Sequence, residues 1–564
     1  MVFKYNDKKY MSDDDLEINL LGFWPRVNSK DEKFRNTLNE NLGYDFVGGD
    51  LLVSYLQRAV SSEVSFNDGL IDEIRKDIDS DANIADVVFK KTSSGIGRGH
   101  SLGGLSGVAL GLTGTKMIDS AFLGLVASRS LVTSGRRRNV RKDELVVPRS
   151  FSKYPELIEE YLKISEEVFG VSAKIRERYS KLKAVETFNK ILPYNNPANL
   201  MIVLSLDSAV TLYFEVMDDK KFGPKGKYLP KEVHALVDAM PKIMDKVGLG
   251  VMYRQRLKVP RDTYLHNTVF KDPEQPNYAS ELSEKTDFSI DPQVVDCYKD
   301  FTPGFMKQLE NAKDINSRAR KTMDKEKLLD LAMQSMLAIS NFSKGYNDAV
   351  RLKISDTLSW RVWSEQKRHA TLRQDVESVY SAVNRAYEIV KKLWPQIERA
   401  YVNNDLKGIG VLADEVENAF AIFADIKNTP EILLPYVYHT SRQIMFYKKL
   451  VNAGVDERDA LYIVPRNVRL RTMENYDLIN LINLELPLRL CSACESERYD
   501  VSWKKRAIIL EEFPELEQLL GPKCWSVGMC TEQNPCKHIY SIRKYFSLEE
   551  HKLLNKKMLE DKKV

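Results

Sequence analysis

Side chains that could bind a phosphate are concentrated in one stretch of the sequence, residues 460–499. Its pattern predicts a short apolar strand ending at Pro465, a basic turn, and an amphipathic helix that begins near Asn475. Arg489 lies near the end of this helix, and Glu497 lies just beyond it. Because a guanidinium group can hold a phosphate through paired hydrogen bonds, we predict an anion-binding unit here.

Cysteines form a second group of chemically active side chains. Five of the six cysteines fall between positions 491 and 536, and His538 follows them. Their turn-rich spacing and the CSAC start predict a structural zinc or iron–sulfur site. The ligands in this prediction are Cys491, Cys524, Cys530 and Cys536. The alternative is a set of reduced, partly buried thiols, because the intervals between these cysteines are not those of a standard zinc finger.

The composition is that of a globular protein. The 564 residues are 43% hydrophobic and 29% charged, and this length suggests about two to four domains. The 84 basic and 80 acidic residues leave a net charge of +4, so no overall field favours nucleic acid. The N-terminus has no apolar leader-like segment, and the apolar run at 102–115 is too short to span a membrane. We therefore expect a cytoplasmic protein with a buried helix at 102–115.

Glycines and arginines mark two further segments in the first part of the chain. Glycines recur at 103, 107, 111 and 114, a spacing that lets a helix pack closely on its neighbour. The glycines at 95–99 lack the P-loop lysine and the GxGxxG frame, so they do not predict a phosphate-binding loop. Four arginines then form a basic turn that is either solvated or a second anion-binding site: Arg136, Arg137, Arg138 and Arg141.

The chain divides into two similar parts joined by a polar arm. Residues 255–292 contain four prolines and little helical periodicity, which is typical of a linker. On each side of it, an arginine-bearing turn precedes long helices, and an apolar segment ending in proline leads into an amphipathic helix. This shared order predicts tandem duplication, with a first half at 1–254 and a second half at 293–564 that includes a cysteine-rich tail at 491–538.

The order of these segments resembles that of the flavin-dependent thymidylate synthases. That family has a Gly-His-x-Ser turn, an apolar helix and an RHRxxSxNxxSxRY signature. In the first half, Gly99-His100-Ser101 matches the turn in part, because serine follows histidine directly. The segment LVASRSLVTSGRRRNV falls where the signature belongs, with Arg129 in the place of its second arginine.

In the second half, QKRHATLRQ at 366–374 lies across the same signature. Arg368 takes the place of the second arginine, and Thr371 takes that of the serine. The first arginine of the signature has become Gln366 and its histidine has become Lys367. The resemblance at this signature is therefore incomplete.

The resemblance is closer towards the C-terminal part of the chain. Asn475 heads the segment that corresponds to the substrate helix of the family. Arg489 fills a leucine-arginine step, and Glu497 falls on a glutamate of the family pattern. Leu461 stands where the family has a substrate-binding arginine.

The resemblance implies an α+β fold with an antiparallel sheet and long helices in each half. It also implies that FAD, NADPH and methylenetetrahydrofolate are used to methylate dUMP, with the protein binding and orienting them. Family subunits share their sites in a tetramer, so a homodimer of this duplicated chain would mimic that assembly.

The residue roles implied by the resemblance fall into three groups. The catalytic candidates are Arg489 and Glu497. The substrate-binding candidates are Arg489, Asn475, Arg136 and Arg137. The cofactor-binding candidates are Arg368, His369, Thr371, Gln374, His100 and Arg129.

Two other functions fit the sequence. Loss of the first signature arginine, the histidine and the closing Arg-Tyr favours a family member that binds a nucleotide or flavin without methyl transfer. The basic turn at 134–142 and the cysteine-rich tail would suit a zinc-containing nucleic-acid-binding protein. The near-neutral net charge and the lack of base-stacking aromatic residues in those stretches argue against nucleic acid as a partner.

Overall fold

A computed structural model of the chain describes residues 3–5, 8–13, 15–24, 76, 104, 106–125, 131–133, 145–179, 189–222, 228–263, 267–273, 290–367, 371–530, 532, 536, 538–539, 547, 549–550, 552–553 and 556. Up to residue 256, the described elements are β1 (Phe3–Tyr5), β2 (Lys8–Tyr10), β3 (Glu17–Trp24), β4 (Gly107–Thr115), α1 (Lys116–Phe122), β5 (Leu131–Thr133), α2 (Pro155–Tyr179), β6 (Pro197–Ser205), α3 (Leu206–Phe222), α4 (Lys231–Lys246) and α5 (Gly250–Arg256), whose last two residues fall within the predicted arm. Short 3-10 turns at Arg149–Lys153 and Asn189–Ile191 precede α2 and β6.

After the arm, the strands and helices follow in a similar order. They are β7 (Gln293–Lys299), α6 (Pro303–Lys321), α7 (Lys325–Gly345), β8 (Val350–Ser359), α8 (Trp360–Gln366), β9 (Arg373–Val376), α9 (Val379–Val402), α10 (Gly408–Val416), α11 (Ala424–Lys427), α12 (Pro430–Asn452), α13 (Glu457–Ala460), β10 (Arg469–Asp477), α14 (Leu478–Ile482), α15 (Glu485–Arg489), α16 (Ser496–Glu512) and α17 (Lys523–Val527). Further 3-10 turns lie at Asn347–Ala349, Leu461–Ile463 and Pro514–Leu516.

Two antiparallel four-stranded sheets organise these elements, and the predicted α+β fold is confirmed. The first sheet has the order β3-β4-β6-β5, and the second has the order β7-β8-β10-β9. In both sheets, the fourth strand along the chain therefore lies between the second and the third. The two sheets share one connectivity.

A capped turn joins the second strand of each sheet directly to a short helix. Thr115 Oγ1 accepts a hydrogen bond from the backbone of Met117 at the start of α1, and Ser359 Oγ accepts one from Val362 in α8. A hydroxyl at this position satisfies a backbone N–H that the first helical turn leaves without a partner. The two halves therefore begin their short helices in the same way.

The hydrophobic core continues across both halves and the arm. Trp360, at the start of α8, lies 4.0 Å from the ring of Tyr194 and donates a hydrogen bond to Ser120 at 2.8 Å. Phe270, from the described part of the arm, packs edge-on against Trp360 at 5.7 Å. Residues 268–272 are thus buried, with Phe270 against Trp360. No helix in the described part of the chain is both long and apolar enough to cross a membrane.

The prediction of a buried helix at 102–115 is wrong, because residues 107–115 form strand β4. β4 is hydrogen-bonded to β3 on one side and to β6 on the other. Gly107 is needed there for close approach of neighbours, since a Cβ atom would collide with the Leu204 carbonyl and the Trp24 ring. The glycine spacing reflects strand packing rather than helix packing.

The prediction of a helix from about Asn475 is also wrong. Strand β10 continues to Asp477, whose carboxylate accepts a hydrogen bond from the Asn480 backbone at 2.9 Å and caps α14. β10 is paired with β8 and β9, and this pairing outweighs the local helical pattern. The apolar segment before Pro465 is likewise a 3-10 turn, Leu461–Ile463, rather than a strand.

Candidate functional site

The signature-like segment 366–374 packs against the end of β10 and the start of α14. Gln366 and Gln374 both donate hydrogen bonds to Glu474 Oε1, the second at 3.3 Å. Thr371 Oγ1 lies 3.0 Å from Asn480 Oδ1, and the Asn480 amide donates to the Thr371 carbonyl at 3.2 Å. Two motifs separated by about a hundred residues in sequence therefore meet in one place. Thr371 and Gln374, two of the cofactor-binding candidates, lie here.

A buried charge cluster forms the floor of this region. Lys505 Nζ lies 2.5 Å from Glu474 Oε2 and 2.6 Å from Asp356 Oδ2, and all three side chains are fully buried. Tyr476 also donates to Glu474 Oε2 at 2.6 Å. Burial raises the pKa of Asp356, whereas Lys505 and Arg498 lower the pKa of Glu474 although burial opposes this. The ammonium of Lys505 and the guanidinium of Arg498, which lies 3.7 Å from Glu474 Oε1, offset the charges of the two carboxylates.

Glu497, a predicted catalytic residue, is engaged on both carboxylate oxygens. Oε1 accepts a hydrogen bond from the Ser359 backbone at 2.8 Å, and Oε2 accepts one from Ser359 Oγ at 2.8 Å. Lys190 Nζ lies 2.5 Å from the same Oε2. Lys190 and Arg469 lower the pKa of Glu497 against the effect of burial, which keeps the carboxylate ionised. Such an arrangement holds the turn before α8 in place.

Arg489, the other catalytic candidate, lies at the end of α15 on the wall of a cavity. Its Nε donates to Glu485 Oε1 at 2.8 Å, and its Nη2 lies 3.4 Å from the Glu365 carbonyl. The guanidinium is thus held by a neighbouring carboxylate while part of it faces the cavity. Arg489 therefore contacts the last turn of α8, whereas Glu497 holds the residue that caps the start of that helix.

The predicted metal ligands all line the cavity beside Arg489. It has a volume of about 320 Å³. The cysteines on its wall are Cys491, Cys494, Cys524, Cys530 and Cys536, and Lys523 and His538 also line it. Burial raises the pKa of the Cys524 thiol, and the nearby cysteines raise it further. Among the described residues, no three Cys, His, Asp or Glu side chains are arranged so that they could hold a metal ion.

Asn475 is the one remaining predicted site residue that the structure describes. Asn475 lies on β10, opposite Lys353 and Arg373 of the neighbouring strands, rather than at the head of a helix. Six candidates fall outside the described residues, and their placement stays a prediction: His100, Arg129, Arg136, Arg137, Arg368 and His369.

Sequence reasoning missed Glu232, which occupies in the first half the place that Glu497 occupies in the second. It accepts hydrogen bonds from Thr115 Oγ1, the cap of α1, and from Tyr462 at 3.0 Å. Burial raises the pKa of Glu232 to about 7. The available signal was position along the chain. Glu232 lies in the first turn of α4 and Glu497 in the first turn of α16, and each of these helices comes after the last strand of its sheet, with other helices between.

Sequence reasoning also missed Lys190. Its charged end contacts Glu495 at 2.7 Å and Glu497 at 2.5 Å, and both partners belong to the other half of the chain. No local pattern marks this lysine, because its partners lie about three hundred residues away. The charge pair is a product of how the halves pack.

Comparison with known proteins identifies relatives for part of the chain. The flavin-dependent thymidylate synthase of Thermococcus onnurineus is 30% identical over 141 residues, which are 24% of this chain and 56% of that protein. The enzymes of the same name from Pyrococcus abyssi and Thermococcus kodakarensis are 29% and 31% identical over 142 and 141 residues. No protein-family model matches the chain.

The chain spans a little over half the length of these relatives, at 56% in each case. The identity to several of these relatives is near 30%. The fold of this chain combines antiparallel sheets with long helices. Over about a quarter of its length, the chain is thus similar in sequence to several flavin-dependent thymidylate synthases.

Proposed function

We propose that this chain binds FAD and dUMP and methylates dUMP to dTMP, with methylenetetrahydrofolate as carbon donor and NADPH as reductant. The observation that carries the proposal is the similarity to proteins named flavin-dependent thymidylate synthases. The contacts of segment 366–374 with β10 and α14 support it, because they join the signature-like segment to the segment that resembles the substrate-binding part of the family pattern.

The polar side chains around Glu474 suit a flavin nucleotide. Gln366 Oε1 and Gln374 Oε1 are buried and have no hydrogen-bond partner among the described residues. A buried carbonyl oxygen without a donor is costly, and an N–H or O–H group of a bound ligand would satisfy it. Thr371 would add a hydroxyl, and Arg368 and His369 would add positive charge. The flavin would supply the redox chemistry, while these residues would bind and orient it.

Duplication of one unit within the chain is part of the proposal, with boundaries at 1–254, 255–292 and 293–564. Matched hydrogen bonds support it. Tyr161 of α2 donates a hydrogen bond to the Val146 carbonyl, and Tyr436 of α12 donates one to the Ala421 carbonyl. Both hydrogen bonds are 2.9 Å long. Two chains would then assemble as a homodimer that mimics a tetramer of single units.

Purified protein is expected to carry a visible flavin absorbance and to form dTMP when given dUMP, methylenetetrahydrofolate and NADPH. Gln374→Ala removes a buried amide and should weaken FAD binding about tenfold, the effect of losing roughly one hydrogen bond. Arg373→Ala, at the exposed neighbouring position of β9, serves as the matched control and should bind FAD normally. A colourless protein that gains no absorbance on adding FAD would contradict the proposal.

A second candidate function is flavin or nucleotide binding without methyl transfer. Two observations favour it: both oxygens of Glu497 are occupied by Ser359 and Lys190, and Leu461 replaces a substrate-binding arginine of the family. Flavin binding with no dTMP formed in the same assay would select this function over the first.

We also propose that a zinc ion or an iron–sulfur cluster draws the cysteines of this cavity together, because they share its wall although their arrangement among the described residues does not by itself hold a metal. Protein purified under reducing conditions should contain about one zinc ion or one iron–sulfur cluster per chain. Cys524→Ser should lower this content, whereas Cys297→Ser on β7 should leave it unchanged. Metal analysis by mass spectrometry distinguishes the cases, and metal-free wild-type protein would support the alternative of reduced thiols.

A further inference from the structure

We infer that Lys190, a residue of the first half, is a positioning residue for the site of the second half. Its side chain is fully buried, and its Nζ lies 2.5 Å from Glu497 Oε2 and 2.7 Å from Glu495 Oε1. The aromatic ring of Phe423 covers the ammonium at 4.8 Å. A buried ammonium with these partners has one well-defined position, and so do the carboxylates that it neutralises.

The effect of Lys190 is transmitted through Glu497 to helix α8. Both oxygens of Glu497 accept hydrogen bonds from Ser359, one from the backbone and one from the hydroxyl, at 2.8 Å each. The same hydroxyl caps α8 by accepting from the Val362 backbone at 3.2 Å. At its other end, α8 carries Gln366, which contacts Glu474. The position of α8, and with it the amide of Gln366, therefore depends on Lys190.

The first half contains the reciprocal contact, and among the described residues Glu232 accepts hydrogen bonds from hydroxyl groups rather than from a cation. Pro193 and Pro465 pair with each other, and Lys190 and Tyr462 each lie three residues before one of these prolines. Lys190 of the first half forms an ion pair with Glu497 of the second. Tyr462 of the second half donates a hydrogen bond to Glu232 of the first at 3.0 Å. An ammonium keeps its carboxylate charged and fixed, and a phenol does so less strongly. The geometry thus assigns the supported site to the second half and a scaffolding role to the first.

Three variants test this assignment: Lys190→Met, Lys190→Arg and the matched Tyr462→Phe. Hydrogen exchange followed by mass spectrometry measures the protection of the α8 amides relative to the other helices. Lys190→Met should reduce protection in α8 selectively, Lys190→Arg should restore most of it, and Tyr462→Phe should leave α8 as in the wild type. If Lys190→Met loses protection equally in all helices, or if its α8 is protected as in the wild type, the inference is overturned.

A second readout rests on the proposed function, because it uses FAD affinity. Lys190→Met should weaken FAD binding by about 10- to 100-fold, the range seen when the support of a ligand-contacting group is lost. Unchanged FAD affinity in the Lys190→Met variant, or a Tyr462→Phe variant weakened equally, counts against Lys190 as a positioning residue.

The two readouts separate the two proposals. If wild-type protein binds no FAD, the proposed function fails, and the exchange experiment still decides the role of Lys190. If Lys190→Met does not fold, the double variant Lys190→Met with Glu497→Gln replaces it, because it removes the unpaired buried charge on Glu497. A double variant with α8 protected as in the wild type would overturn the inference.

Discussion

Replacing Lys505 by methionine is expected to lower the free energy of unfolding by about 3–5 kcal/mol. Lys505 is fully buried, and its ammonium lies 2.6 Å from Asp356 and 2.5 Å from Glu474. Methionine fills a similar volume but leaves the carboxylates of Asp356 and Glu474 close together with less positive charge between them. The loss of stability therefore comes mainly from uncompensated buried charge rather than from a cavity.

Denaturant unfolding measures this effect, with Lys504→Met as the matched control. Lys504 is the preceding residue of α16, but its side chain is 56% exposed and its partner Asp291 is 67% exposed. Loss of an exposed ion pair should change the free energy of unfolding by less than about 1 kcal/mol. Equal, small effects of the two substitutions would show that the buried cluster does not contribute in this way.

Glu232→Gln is expected to make the chain more stable at alkaline pH and to remove one source of pH dependence. The pKa of Glu232 is raised to about 7 in the folded protein, chiefly by burial, and is about 4.3 in an unfolded chain. Between these values the folded state binds a proton that the unfolded state has lost. Stability from this group is therefore complete below the unfolded pKa and decreases as pH rises towards the folded pKa.

The size of the change follows from this pKa difference and is about 3 kcal/mol between pH 4 and pH 8. The difference in unfolding free energy between wild type and Glu232→Gln should change by this amount over the same range, with the wild type losing stability as pH rises. Glu159→Gln, at an exposed position of α2, is the control and should leave the pH profile as it is. A constant difference between wild type and Glu232→Gln would contradict the raised pKa.

Part of the fold and of the candidate site could be predicted from the sequence. The order of motifs indicated an α+β fold and a family resemblance, and it marked 366–374 and 460–499 as candidate binding segments. The contacts of Thr371 with Asn480 and of Gln374 with Glu474 join these segments directly. Local patterns were informative here because the residues that carry the resemblance lie within short, ordered stretches.

Local patterns misled where hydrogen bonding to distant strands decides the structure. Residues 107–115 and the segment from Asn475 onwards carry spacing that also suits a helix. The structure instead has central strands at 107–115 and 469–477, each with a partner on both sides. A central strand satisfies all of its backbone groups through those partners, and this gain exceeds the small differences in local propensity. The start of α14 at Leu478 follows from the end of that pairing.

By itself, the sequence determined the family resemblance, the residue types available for binding anions, and the clustering of the cysteines beside Arg489. Only the tertiary structure decided that Glu497 is held by Ser359 and Lys190, and that Glu232 is its counterpart in the first half. The physical reason is burial. Whether a buried carboxyl group is ionised or protonated depends on the charges and hydrogen-bond donors that packing brings to it from remote parts of the chain. The same neighbours decide whether it serves catalysis or structure.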